Sequence, residues 1–154
     1  MTEQPDTAPE LDTSPELGQT VRELRQGVVR LARRLRSQPQ EHGVTNLGVS
    51  VLSRLQRHRA LTPGALAEAE GVTPQTLTRV LAALESGGFV GRRGDPADGR
   101  QSILELTPAG ERVLVRDALR REEWLAAAIA AELTPAEQQL LRIAATLLDR
   151  LADA

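Results

Sequence analysis

Residues 62–90 read TPGALAEAEGVTPQTLTRVLAALESGGFV, and the spacing predicts two short helices joined by a tight turn. Thr62-Pro63 and Thr73-Pro74 each place a hydroxyl where it can accept from an unpaired backbone N–H at a helix start. Proline follows at the first helical position, where its missing N–H costs nothing. Gly71 separates the two helices, because glycine takes turn conformations that other residues avoid. Leu66 and Ala67 in the first helix and Val72, Leu77 and Val80 beyond the turn close a small core, and Ala67 is slim enough to let the helices approach. This is the spacing of a helix-turn-helix.

The second helix has two distinct faces. At about 100° per residue, Leu77, Val80, Leu81 and Leu84 gather on one side, while Gln75, Thr76, Arg79 and Ala83 gather on the other. The outer face is small, polar and cationic, which suits a DNA major groove. Arginine pairs with guanine, glutamine pairs with adenine, and threonine can bond a base edge or touch a thymine methyl.

Downstream, Gly87-Gly88 stops the helix and the hydrophobic period shortens. Phe89–Arg93 and Gln101–Leu106 are strand candidates, with Leu104 and Leu106 on one face. Gly94-Asp95-Pro96-Ala97-Asp98-Gly99 between them is turn chemistry. The result is a β-hairpin with a charged tip. Arg92, Arg93 and Arg100 on it can reach phosphates or enter a neighbouring narrow groove. Asp98, two residues before Arg100, can hold that guanidinium through a fork of hydrogen bonds. The candidate DNA-contacting residues are therefore Thr73, Gln75, Thr76, Thr78 and Arg79 on the helix and Arg92, Arg93, Asp98 and Arg100 on the hairpin.

The same punctuation marks four more helices. Ser14-Pro15 starts one running to about Arg36, with Leu17, Val21, Leu24, Val28, Leu31 and Leu35 at alternating spacings of four and three, a heptad seam. Thr45-Asn46 starts a helix to His58, carrying Leu47, Val51, Leu52 and Leu55. Thr107-Pro108 starts a long one to about Glu132. Thr134-Pro135, with Glu137 completing a capping box, starts the last, striped by Leu140, Ala144, Leu147, Leu148 and Leu151. The organisation expected is an acidic flexible tail (1–14), an N-terminal dimerisation helix (15–40), a DNA-binding domain (45–107) and C-terminal dimerisation helices (108–154). The seam of the first helix is either core within a monomer or interface in a dimer; the terminal helices have too little else in the chain to cover them, which favours a homodimer.

Composition narrows the chemistry. The 154 residues contain no Cys, and Arg supplies all 19 basic side chains. Thiolate catalysis, thiol redox sensing, zinc ribbons, lysine Schiff bases and P-loops all lack their parts. His42 and His58 stand apart, with no carboxylate pair at ligand spacing, and are read as loop and helix-end residues rather than metal ligands. Glu122-Glu123 reads as a solvated face. No enzyme, no cofactor and no metal is expected. Apolar runs are too short for a membrane span and the acidic start is unlike a signal peptide, so a cytoplasmic location is expected. The net charge is −2, yet residues 20–60 carry nine Arg against two Glu. Arg30, Arg33, Arg34 and Arg36 close the first long helix, where cations complement the helix dipole. Contact with an acidic effector or with the acidic tail is the other reading of that cluster. Trp124 is either a dimer-core residue or a pocket-lining one.

Four segments carry a family resemblance: Thr73-Pro74-Gln75-Thr76-Leu77-Thr78-Arg79; Leu84-Glu85-Ser86-Gly87-Gly88-Phe89-Val90; Asp95-Pro96-Ala97-Asp98-Gly99-Arg100; and Leu104-Glu105-Leu106-Thr107-Pro108-Ala109-Gly110. Leu47–Gly110 resembles the MarR-type winged helix-turn-helix regulators, and Leu17–Ala152 follows their six-helix order. The resemblance implies a mainly α, six-helix winged helix-turn-helix fold with a small β-hairpin wing, dimeric through the first, fifth and sixth helices. It also implies a repressor of nearby genes, released when a small, often aromatic anion binds between the lobe and the dimer region. Glu70 stands where the family commonly carries an apolar residue. A two-fold dimer would place its reading helices roughly 34 Å apart and so predicts a palindromic double-stranded operator. The alternative is a winged-helix module that binds protein, with Arg92, Arg93 and Arg100 pairing to acidic side chains. Salt separates the two, because duplex binding weakens log-linearly as counterions compete.

Overall fold

The computed structural model describes residues 14–38, 43–94 and 102–154. Its elements are α1 (Pro15–Arg36), α2 (Asn46–His58), β1 (Ala60–Leu61), α3 (Pro63–Glu70), α4 (Pro74–Ser86), β2 (Val90–Gly94), β3 (Ser102–Leu106), α5 (Pro108–Glu132) and α6 (Pro135–Ala152). The chain divides into two compact units between Ser37 and Gln38.

Each helix starts where a hydroxyl was expected to cap it. The Ser14, Thr45, Thr62, Thr73, Thr107 and Thr134 side chains accept from the N–H of Leu17, Gly48, Ala65, Thr76, Gly110 and Glu137 respectively. In α6 the box is reciprocal: Glu137 Oε2 accepts from the Thr134 backbone N–H at 2.8 Å. Hydrogen bonds from the Thr134 hydroxyl and N–H hold the Glu137 carboxyl below its ordinary pKa.

The second unit is built around α2, which packs against α3, α4, α5, β1 and β3. The face it turns to them carries Val49, Val51, Leu52 and Leu55, all buried. Leu66 and Ala67 of α3, Leu77, Leu81 and Leu84 of α4, Val90, Leu104 and the first turns of α5 (Val113, Leu114) complete the core. Six side chains, Leu52, Leu55, Leu66, Leu77, Leu104 and Val51, are shut off from solvent. Each contributes about 1.5–3 kcal/mol relative to exposure.

The sheet is antiparallel in the order β1-β3-β2. β2 and β3 form the expected hairpin, with Val90 opposite Leu106 and Gly94 opposite Ser102. β1 is an addition to the sequence reading. Its two residues pair with Glu105 and Leu104, and the chain enters it through Arg59 at φ 63°, a left-handed turn made without glycine.

Two contacts fasten α5 to the hairpin. The Thr107 hydroxyl caps α5 and also donates to the Gly88 carbonyl at 2.7 Å. Gly110 lies so close to this junction that a Cβ would collide with the Phe89 carbonyl. Beyond Leu114, α5 buries none of its side chains, and neither α1 nor α6 buries any.

Candidate nucleic-acid interface

The turn between α3 and α4 sets α4 in place. Gly71 adopts φ 62°, in the left-handed region. Its N–H reaches the Glu68 carbonyl and the Val72 N–H reaches that of Ala67, each at 3.1 Å. Leu77, Leu81 and Leu84 then anchor α4 through one face.

On the opposite face Gln75, Thr76, Thr78, Arg79, Ala82 and Ala83 are exposed. The expected residues differ in what their side chains do. Thr73 is a cap: its Oγ1 accepts from the Thr76 N–H at 3.3 Å and lies 3.0 Å from the Thr76 hydroxyl. The Thr78 hydroxyl donates to the Pro74 carbonyl at 2.8 Å, within its own helix. The side chains of Gln75 and Arg79 engage no other described residue by hydrogen bond or ion pair.

The two wing arginines differ because strand alternation sends them to opposite faces of the hairpin. Arg92 stands across from Leu104 on the face shared with Val90, and Arg93 stands across from Ile103 on the other. Arg92 donates from Nε (2.9 Å) and Nη2 (2.7 Å) to Glu85 Oε1 at the end of α4, and from Nη1 (2.7 Å) to the Ser102 hydroxyl. Arg93 donates from Nε to Glu105 Oε1 on the neighbouring strand at 2.8 Å, and its Nη2 forms an ion pair with the same oxygen at 2.7 Å. Asp98 and Arg100 lie outside the described residues, as does His42.

A polar cluster that no sequence pattern announces lies behind the turn. Glu70 has a side chain only 7% exposed. Its Oε1 accepts from Arg54 Nε at 2.7 Å and its Oε2 from the Ser50 hydroxyl at 2.7 Å, while Arg54 Nη2 donates to the Ala69 carbonyl at 2.9 Å. Burial pushes the Glu70 carboxyl up, but the hydrogen bonds from Arg54 and Ser50 and the charges of Arg54 and Arg57 outweigh it. The pKa therefore lies below the ordinary value of 4.5. An ion pair thus ties α2 to the end of α3. Ser50 and Arg54 share a helix face one turn apart, which lets both reach the same carboxylate.

Among the described residues no group of three or more His, Asp or Glu could hold a metal ion, and no helix is long and apolar enough to cross a membrane.

A helix–turn–helix followed by a hairpin whose second strand also pairs with a short third strand defines a winged helix-turn-helix, a DNA-binding class of fold. The MarR family model matches residues 44–102. An HTH-type transcriptional regulator of Mycobacterium bovis is 40% identical over 126 residues, covering 82% of this chain and 87% of that protein. A Pseudomonas aeruginosa protein described as a transcriptional regulator superposes with a TM-score of 0.74 at 32% identity, covering 92% of this chain and 98% of the other. A cysteine-to-serine mutant of E. coli MarR complexed with operator DNA has the same fold, with a TM-score of 0.55 at 24% identity, covering 94% and 99%. The chain belongs to the MarR family of transcriptional regulators.

Proposed function

We propose that this regulator is a homodimeric repressor that reads a palindromic operator with α4 and is released by a small, aromatic or anionic effector. In this reading Gln75, Thr76 and Arg79 meet base edges, Thr73 and Thr78 flank them at the groove, and Arg93 and Arg100 take phosphates, with Asp98 orienting Arg100. The observation that carries it is the state of Gln75 and Arg79. Both are exposed on the face of α4 opposite its buried leucines, and both are unengaged by any other described side chain or backbone group. The E. coli protein of the same fold was solved in complex with operator DNA, which supports duplex DNA as the partner.

The homodimer rests on the exposed apolar residues of α1, α5 and α6, among them Leu24, Val115, Leu119, Ile143 and Leu147. Patches of this kind on a small protein mark an interface. The effector reading is supported by a recess of about 240 Å³ beside the reading helix, lined by Val44, Gly48, Val80, Ala83, Leu84 and Phe89, with Arg79 among its walls.

Selection of binding sites from random duplexes by the purified protein tests this reading. The expected product is an inverted repeat whose half-site centres lie about one helical turn apart. A screen for compounds that release the selected duplex then tests effector control. Failure to enrich any duplex would overturn the proposal.

A further inference from the structure

We propose that Arg92 is a positioning residue, whose guanidinium latches the wing to the end of the reading helix through Glu85 and thereby sets where the wing lies relative to α4. The inference rests on the DNA-binding reading above and gives a single wing cation a different role within it.

The chain between α4 and β2 passes through Gly87-Gly88, with Gly88 at φ 69°. Two consecutive glycines leave a corner with little intrinsic stiffness. The Thr107 hydroxyl braces the base of that corner through the Gly88 carbonyl. Arg92 braces it farther out. Strand alternation puts Arg92 on the core-facing side of the hairpin, where its Nε and Nη2 both meet Glu85 Oε1 and its Nη1 meets Ser102 on the partner strand. One side chain therefore joins the helix and both strands of the wing. Each further strand residue adds about 3.3 Å, so a small rotation at this point grows toward Gly94 and Ser102 at the far end of the paired strands.

Energetics favour a geometric role over a stabilising one. The Arg92 and Glu85 side chains are 42% and 32% exposed, and exposed pairs contribute little to stability. A carboxylate near a DNA-reading surface also opposes phosphate attraction, so Glu85 carries an electrostatic cost unless its position is useful. Arg93 provides the internal contrast. Its partner Glu105 lies within the hairpin, so that pair cannot fix the angle between wing and helix.

The deciding variant is Glu85→Gln, which removes a negative charge and loosens the hold on Arg92. If Arg92 serves as a phosphate contact, freeing it leaves operator binding unchanged or tighter. If it is a latch, operator affinity falls roughly two- to fivefold at constant salt slope. Binding to random duplex is then unchanged or tighter, and amide exchange in β2 and β3 of the DNA-free protein accelerates. The charge-reversed pair Glu85→Arg with Arg92→Glu should recover operator affinity relative to Arg92→Glu alone. Parent-like operator binding by Glu85→Gln, or no recovery in the reversed pair, would overturn the latch. Unchanged exchange in β2 and β3 would overturn it too, even if the parent protein bound no duplex, in which case the DNA-binding reading would fail separately.

Discussion

The lobe from Val44 to Leu114 and the helices at the ends of the chain use the same apolar side chains to opposite effect. In α2 and α4, Leu52, Leu77 and Leu81 are at most 2% exposed, whereas Leu24 of α1 is 41% exposed and Leu147 of α6 is 48% exposed. Both groups sit at helical spacing on amphipathic helices. The difference lies in what stands opposite. α2 and α4 face other elements of their own lobe, and every buried hydrophobic among the described residues falls between Val44 and Leu114. The lobe therefore has the means to fold on its own contacts, while the seams of α1 and α6 keep apolar surface available for a second chain.

The sharpest way to break this comparison is to damage each region and ask whether protein concentration matters. Leu52→Ala should cost about 2–5 kcal/mol of folding stability, through lost burial and the cavity left behind. In chemical denaturation that loss should be as large at low concentration as at high. Leu147→Arg should leave the lobe's own packing alone and place an unpaired charge in the proposed interface. The dimer dissociation constant should then rise by at least a hundredfold, about 3 kcal/mol, and sedimentation should report the 16.7 kDa chain as a monomer. A Leu147→Arg protein that stays dimeric would remove α6 from the interface.

Much of this fold was legible because the chain announces its helices. Hydroxyl-proline pairs mark the starts of α1, α3, α4, α5 and α6, and a capping hydroxyl needs only local geometry to act. The long hairpin was legible for a similar reason, since glycine and turn residues bracket it. β1 was not, because two residues show no period and the turn into it is made by Arg59 rather than by glycine. The partners of charged side chains were hidden as well. Glu70 meets Ser50 and Arg54 across twenty and sixteen positions, and Glu85 meets Arg92 across a change from helix to strand. No periodicity links such pairs; only tertiary packing does. The sequence treated Arg92 and Arg93 alike, although the pleat sends them to opposite faces.

Within the lobe, exposure and burial of polar groups make a second contrast. Arg79 is exposed and unengaged by described residues, so Arg79→Ala should spare stability and cost operator binding about 1–3 kcal/mol, with relaxed preference at one base position. Quantitative binding to single-base operator variants measures both. Glu70 is the reverse case. Glu70→Ala should lower folding stability by about 1–3 kcal/mol by stranding Arg54 and Ser50, which a melt detects without any DNA. The parent also carries a pH signature. The folded carboxyl titrates below its unfolded value of 4.5, so this stabilisation is complete above that value and is lost as pH falls through the folded pKa. Glu70→Gln should flatten that acid limb. A variant with the parent's acid profile would show that the cluster contributes no pH-dependent stability.

The smallest effect sharpens the comparison by placing one chemical change in both regions. Thr73 and Thr134 are both hydroxyl caps preceding a proline, on α4 and α6 respectively. Thr73→Ala removes the bond to the Thr76 N–H and should cost about 1 kcal/mol of lobe stability, whereas Thr73→Asn, a cap of comparable quality, should restore it. That loss belongs to a helix whose leucines are buried within its own chain, so the shift in melting temperature should not vary with protein concentration. Thr134→Ala loosens the start of a helix that buries no side chain. Its effect should therefore appear as weaker association, with a melting shift that is small in dilute solution and grows with concentration until both proteins are dimeric. If the two substitutions behaved alike across a hundredfold dilution, α6 would draw its stability from its own chain and the division between the two regions would fail.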